Sequence, residues 1–197
     1  MESFQNGNVK LILPLPRGKI KSSDDSSEKA FSESSLKEYL ELLKQKESDP
    51  YFPIRLKGAN TILINSIRDL KHDLSLSSVN NEWRIILILQ AEKLCIPSPE
   101  AAHSLLKVLE EPPEKTLFIL TSSQPGAILD TIHSRCQNLY FPPISAQNLQ
   151  ERLIQSGADT VQATIIAQIS GGNVRLSQKL IENATDLMEK LFLEIYG

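Results

Sequence analysis

Cysteine is almost missing from this 197-residue chain: Cys95 and Cys136 stand alone, with no CxxC, so neither a disulfide framework nor a thiolate zinc site is indicated. Histidine is as sparse, and His72, His103 and His133 fall at no ligand spacing, so no bound metal is expected. A basic excess is also lacking. With 21 Lys and Arg against 24 Asp and Glu, the net charge of -3 argues against a chain that coats nucleic acid through its own surface. The longest apolar runs, such as "IILIL" at 85–89, fall far short of the ~20 residues a spanning helix needs. The start, "MESFQNGNVK", lacks the charged-then-apolar layout of a secretory signal, which leaves the cytoplasm as the expected location.

What is there suits a buried core: 41% hydrophobic and 23% charged residues. "VKLILPLP" (9–16) reads as a short strand stopped by prolines, and the polar "RGKIKSSDDSSEKAFSESS" after it reads as a loose surface excursion. "SLKEYLELLKQKES" carries leucines at 36, 40, 42 and 43 in a helical stripe with Ser35 as cap, and Ile64, Ile67, Leu70 and Leu74 share a second helix face. "EWRIILIL" has the unbroken apolar character of a strand buried on both faces. A helix follows, with Ser98 as cap, Pro99 at its first position and a stripe of Ala102, Leu105, Leu106 and Leu109, ended by Pro112 and Pro113. "TLFILTSS" and the shorter "NLYFPP" complete a strand–helix–strand–helix–strand order, which predicts a parallel α/β sheet. From Ser145 onward only helical segments remain, with Gly157, Gly171 and Gly172 at their ends. The expected domains are an N-terminal strand with a polar and helical insertion (1–60), an α/β core (61–143) and a three-helix lid (144–197).

Such a sheet invites a search for nucleotide chemistry. The only lookalike of a phosphate loop, "PRGKIKSS", fails GxxxxGK[ST], since Leu13 stands where Gly is needed and Ile20 where Ser or Thr is needed. A nucleotide hydrolase also places acids at the end of a buried strand to hold magnesium and align water. Here Leu89 and Gln90 occupy that end, and neither can do the work. Glu92, the first acid, reads as a solvated or helix-capping group. Arg135 in "TIHSRCQ" has two readings: a planar fork presented to phosphate or carboxylate, or a side chain tying down the last carbonyls of a short helix. Glu110 and Glu111 break a local rule, because acids at a helix C-terminus oppose the dipole, and such breaks mark ion pairs or interfaces unless the side chains are merely solvated.

The order of pieces from about Ile62 onward, with "LLKVLEEPP" and "TIHSRC" as its specific marks, resembles the clamp-loader family of AAA+ proteins, the subunits that open the sliding clamp of bacterial DNA polymerase III. The resemblance implies a partial AAA+ (P-loop NTPase-like) parallel α/β core with a small C-terminal three-helix lid. It also implies roles. Arg135, flanked by Ser134 and Cys136, corresponds to an arginine finger that reaches the ATP site of an adjacent subunit. Leu89 and Gln90 are degenerate magnesium and water positions, while Thr121 and Arg175 are vestigial nucleotide-sensor positions. Loss of the catalytic acids with retention of the arginine motif resembles the delta-prime branch, whose member hydrolyses nothing itself. The implied partners are the gamma/tau ATPase subunits and delta, and through them the sliding clamp and primed DNA. ATP and magnesium would sit in the neighbouring subunit, with no cofactor in this chain, no intrinsic ATPase activity and no membrane contact. Relatives carry a strand, a phosphate-loop region and a helix ahead of "VKLILPLP", and a collar beyond the lid; the extra strand would lie between "TLFILTSS" and "NLYFP". The resemblance therefore leaves two alternatives: a shortened relative serving only as an interaction module, and a remnant of an active gamma-type ATPase.

Overall fold

Three short aliphatic strands, β1 (Val9–Ile12), β2 (Arg84–Ile88) and β3 (Thr116–Leu120), form a parallel sheet in the order β1-β2-β3 in the computed structural model, which describes residues 8–22, 24–76 and 82–184. The register aligns Val9 with Ile85 and Ile85 with Leu117, so Lys10, Ile86 and Phe118 share one face and Leu11, Leu87 and Ile119 the other. Parallel strands require crossovers, and helices supply them. α2 (Ile64–Ser75) buries Ile67, Leu70 and Leu74, and α3 (Glu100–Glu110) buries Ala101, Ala102, Leu105 and Leu109, all in one apolar cluster with Ile12, Ile86 and Ile88. These stripes follow the 3.6-residue period read from the sequence. α3 begins one residue later than expected, with Pro99 in the capping position rather than Ser98.

The strands are less enclosed than their apolar runs suggest. On β2 only Ile86 and Ile88 are buried, and on β3 Leu117 and Ile119 are 45% and 41% exposed. Period-two geometry sends alternate side chains to the opposite face, where no helix is packed over β3 among the described residues. "NLYFPP" is also no strand: Leu139, Tyr140 and Phe141 are 73%, 83% and 84% exposed and irregular. A strand exists only by pairing, and β3 ends the described sheet with no neighbour beyond it.

The polar excursion is not loose. Asp25 organises it by accepting from the Lys21 and Ser22 amides (2.8 and 3.1 Å) and from Lys29 Nζ (2.5 Å). Asn65 of α2 donates to the Ser22 and Asp25 carbonyls (3.0 and 2.7 Å), and Asp69 accepts from the Ser27 amide at 2.7 Å. A 3-10 turn, Ser27–Ala30, then buries Ala30 in a second apolar cluster with Leu13, Leu15, Ile54, Leu56 and Leu63. Gly18 lies against this turn at φ +51°, where a Cβ would collide with the Ala30 carbonyl. α1 (Glu33–Ser48) is capped by Ser32, not Ser35; Ser35 closes a reciprocal capping box from the third position. Leu42 and Leu43 pack against the second cluster while Leu36 and Leu40 face out, so only half of the expected stripe is used.

The chain forms two compact units, Met1–Asp49 with Pro53–Asn138, and Pro50–Phe52 with Leu139–Gly197. The sequence reading divides at 60 and 143; β1 pairs with β2 and so ties the N-terminal segment into the same unit as the later strands. In the second unit, α5 (Ala146–Gln155), α6 (Thr160–Ile169) and a helix over 174–184 enclose Leu149, Leu153, Ala163, Ile166, Ala167 and Val174. The helix over 174–184 is the expected third one, and the part of it expected beyond residue 184 lies outside the described residues. Tyr51 and Phe52 join this unit beneath the guanidinium groups of Arg152 and Arg175, 4.6 and 4.7 Å from the ring centres.

Candidate functional site

Arg135 is presented by a turn nailed to the core. α4 (Asp130–His133) is only one helical turn long, too short to persist alone, and its position comes from Ile132, 2% exposed, with Ile128, Leu129 and Cys136 packed around the same cluster. Burial raises the Cys136 thiol above its usual range, so it acts as an apolar anchor. Ser134 and Arg135 face outward between Ile132 and Cys136. The Ser134 hydroxyl donates to the Thr131 carbonyl at 3.1 Å. The His133 ring lies between two acceptors, Pro125 O at 2.9 Å and Asn138 Oδ1 at 3.0 Å, which pulls its pKa upward, chiefly through the Pro125 carbonyl.

The arginine is engaged on two edges. Nε donates to Glu110 Oε1 at 2.9 Å, and Nη2 donates to the same oxygen. Nη1 donates to Thr131 O at 2.7 Å and to Ser134 Oγ at 3.2 Å. One part of its work is therefore the helix-end tie read from the sequence. The other explains the acid at the end of α3: Glu110 has an ion-pair partner, and that pair links α3 to the arginine turn.

The carboxyl ends of the strands form a second cluster. Leu89 packs against the second apolar cluster, and its amide donates to Ile12 O at 2.8 Å. Gln90 adopts a left-handed conformation, φ 55°, before the 3-10 turn Ala91–Cys95. Glu92 on this turn is 4% exposed, which corrects the reading of it as a solvated or capping acid. Its carboxylate accepts from Ser122 Oγ at 2.7 Å and Ser123 Oγ at 3.4 Å, stitching the end of β2 to the loop after β3. Sequence reasoning missed this partner because the hydroxyls lie thirty residues away in the chain. Thr121 holds the sheet through its backbone, its amide donating to Ile88 O at 2.9 Å and its carbonyl accepting from Ala91 N at 2.8 Å.

A cavity of about 340 Å³ opens beside this cluster, lined by Gln90, Glu92, Lys93, Ser123 and Arg55. The carboxyl ends of parallel strands are where α/β sheets bind ligands. Among the described residues no group of three or more His, Cys, Asp or Glu could hold a metal ion. Arg175 belongs to the helical unit, where its guanidinium stacks on Phe52. Arg135 and Thr121 fall in the sheet unit, so the proposed site positions are distributed over both units.

A family model described as DNA polymerase III, delta subunit, matches residues 20–145, more than half of the chain. The chain belongs to this family. The delta' subunit of Bacillus subtilis (strain 168) is 33% identical over 117 residues, 59% of this chain and 34% of that protein. The delta' subunit of Yersinia pestis is 33% identical over 132 residues, 64% of this chain and 38% of that one. The B. subtilis tau subunit is 31% identical over 137 residues, 66% of this chain and 24% of the relative. The chain thus spans about a third of the length of the delta' relatives. A crystal structure of a DNA polymerase III gamma subunit-related protein from Thermotoga maritima aligns with 95% of this chain and 59% of its own at 22% identity, with a TM-score of 0.41. No helix among the described residues is long and apolar enough to cross a membrane.

Proposed function

We propose that this family member is a non-hydrolysing, delta-prime-like component of the DNA polymerase III clamp loader, helping to load the sliding clamp in the cytoplasm. It would supply Arg135 to the ATP site of a neighbouring gamma/tau-type subunit, with delta as a further partner. The observation that carries this reading is the pairing of opposites within one unit: a guanidinium held on a core-anchored turn, and a strand end where Leu89 is packed among apolar side chains instead of an acid. The first has charge to lend. The second has no acid at either of the two positions that directly end the strand, Leu89 and Gln90. A planar cation aimed at the γ-phosphate would stabilise the charge that develops in phosphoryl transfer, while ATP and its magnesium remain in the neighbour.

The test is reconstitution with the gamma/tau and delta subunits of the same organism. The chain is expected to co-purify with them, and Arg135→Ala to leave that assembly intact while slowing turnover at one site by on the order of 10³-fold. Lysine at 135 should recover little, since a point charge does not reproduce the fork. A second reading has an observation of its own: Nη1 already caps the Thr131 carbonyl. In that reading the chain is an interaction module, and the Arg135→Ala complex melts earlier but hydrolyses ATP at the normal rate.

A further inference from the structure

A guanidinium has five N–H donors, one on Nε and two on each terminal nitrogen. In this chain four hydrogen bonds leave Arg135: two from the Nε–Nη2 edge to Glu110 Oε1, and two from Nη1, to Thr131 O and Ser134 Oγ. One N–H, on Nη2, remains. A phosphate oxygen pair recognises arginine through two parallel donors on one edge, and neither edge has two to offer in this pose. The Arg135 side chain is 29% exposed and that of Glu110 48%, so an incoming anion can reach both.

We propose that Glu110 holds Arg135 in a closed pose, and that a polyphosphate engages the guanidinium only by displacing the Glu110 carboxylate. This deepens the reading of Arg135 given above and rests on it for its meaning in the assembled complex. The two contacts differ in kind. Thr131 O and Ser134 Oγ belong to the same turn as Arg135 and travel with it. Glu110 lies 25 residues away on α3 and is an anion, so it competes with phosphate for the same charge and the same edge. Phosphate carries more negative charge and more acceptor oxygens than one carboxylate, which lets it win the exchange when it is held close. Glu110 is therefore a positioning residue: it holds the guanidinium through the Nε–Nη2 edge and gives way there to the incoming anion.

The experiment uses the full chain and inorganic tripolyphosphate as probe, with the Arg135 Nε–H signal followed by nitrogen-edited NMR. Glu110→Gln removes the competing charge at nearly constant shape, and Glu110→Asp keeps the charge on a shorter arm, guarding against a folding artefact. The Glu110→Gln chain should bind tripolyphosphate about two- to fivefold more tightly than the native chain, the range that release of an exposed ion pair allows. Its Nε–H signal should start displaced and then titrate. Glu110→Asp should fall between, and Arg135→Ala should lose the response. Equal or weaker binding by Glu110→Gln, an unmoved Nε–H signal, or no titration in any chain overturns the proposal. The outcome separates from that of the functional reading. Tighter tripolyphosphate binding with normal turnover in the Arg135→Ala complex would keep the closed pose and discard the arginine's role in trans; the reverse pair of results would do the opposite.

Discussion

Glu92 and Ser122 form a consequential polar contact in the sheet unit, because the carboxylate of a residue that is 4% exposed depends on the donors around it. Removing the Ser122 hydroxyl leaves Ser123 Oγ, at 3.4 Å, as the other hydroxyl donor to the carboxylate. Ser122→Ala is expected to cost about 1.5–3 kcal/mol, the range for a hydrogen bond to a charged group, read as a lower urea midpoint with an unchanged slope. A loss below about 0.5 kcal/mol would mean that Ser123, at 3.4 Å, takes over the contact. At the same scale, Arg135 and Glu110 were each legible as unusual. The acid at a helix C-terminus left a partner or plain solvation open, and the arginine between small residues left a phosphate or carboxylate target or a helix-end tie open. Nothing in a linear pattern said that each was the other's.

At the level of elements, the described residues of the segment 17–31 show how a polar run folds without much apolar content. Two carboxylates and an amide do the organising: Asp25 within the segment, Asp69 and Asn65 from α2. The Lys29 ammonium, followed by the Lys21 and Ser22 amides, lowers the Asp25 pKa from 3.8 to about 2. A folded-state value below the unfolded one means that the stabilisation is fully present above about pH 4 and fades as pH falls through the window between 3.8 and about 2. Protection of the Lys21 and Ser22 amides, taken relative to the intrinsic exchange rate at each pH, should accordingly fall across that window, and Asp25→Asn should be less protected at neutral pH and show no such step. A protection factor that stays constant through the window in the native chain would remove Asp25 from this role. Composition alone makes Ser- and Asp-rich runs look loose, since their hydrogen-bond partners come from another helix.

For the whole molecule, the lack of a phosphate-loop pattern and of an acid at Leu89 or Gln90 leads to a direct expectation: calorimetric titration of the purified chain with ATP and magnesium should give no saturable micromolar binding and no phosphate release. Tight binding would instead point to the cavity at the strand ends, where Arg55 and Lys93 stand beside Gln90. The sequence by itself determined the parallel α/β order, the buried stripes of α2 and α3, the helical character from Ser145 to residue 184 and the family, because all of these are local periodicities or contiguous motifs. Only the tertiary structure decided the rest. "NLYFPP" and the outer face of β3 have strand-like residues, yet pairing and burial depend on neighbours that lie elsewhere in the chain. Pro50–Phe52 joined the helical unit through Arg152 and Arg175 for the same reason, and Arg135 found Glu110 across 25 residues. Periodicity reports which side of an element is apolar, whereas the partner of a charge or of a strand edge is set by where the folded chain brings another segment alongside.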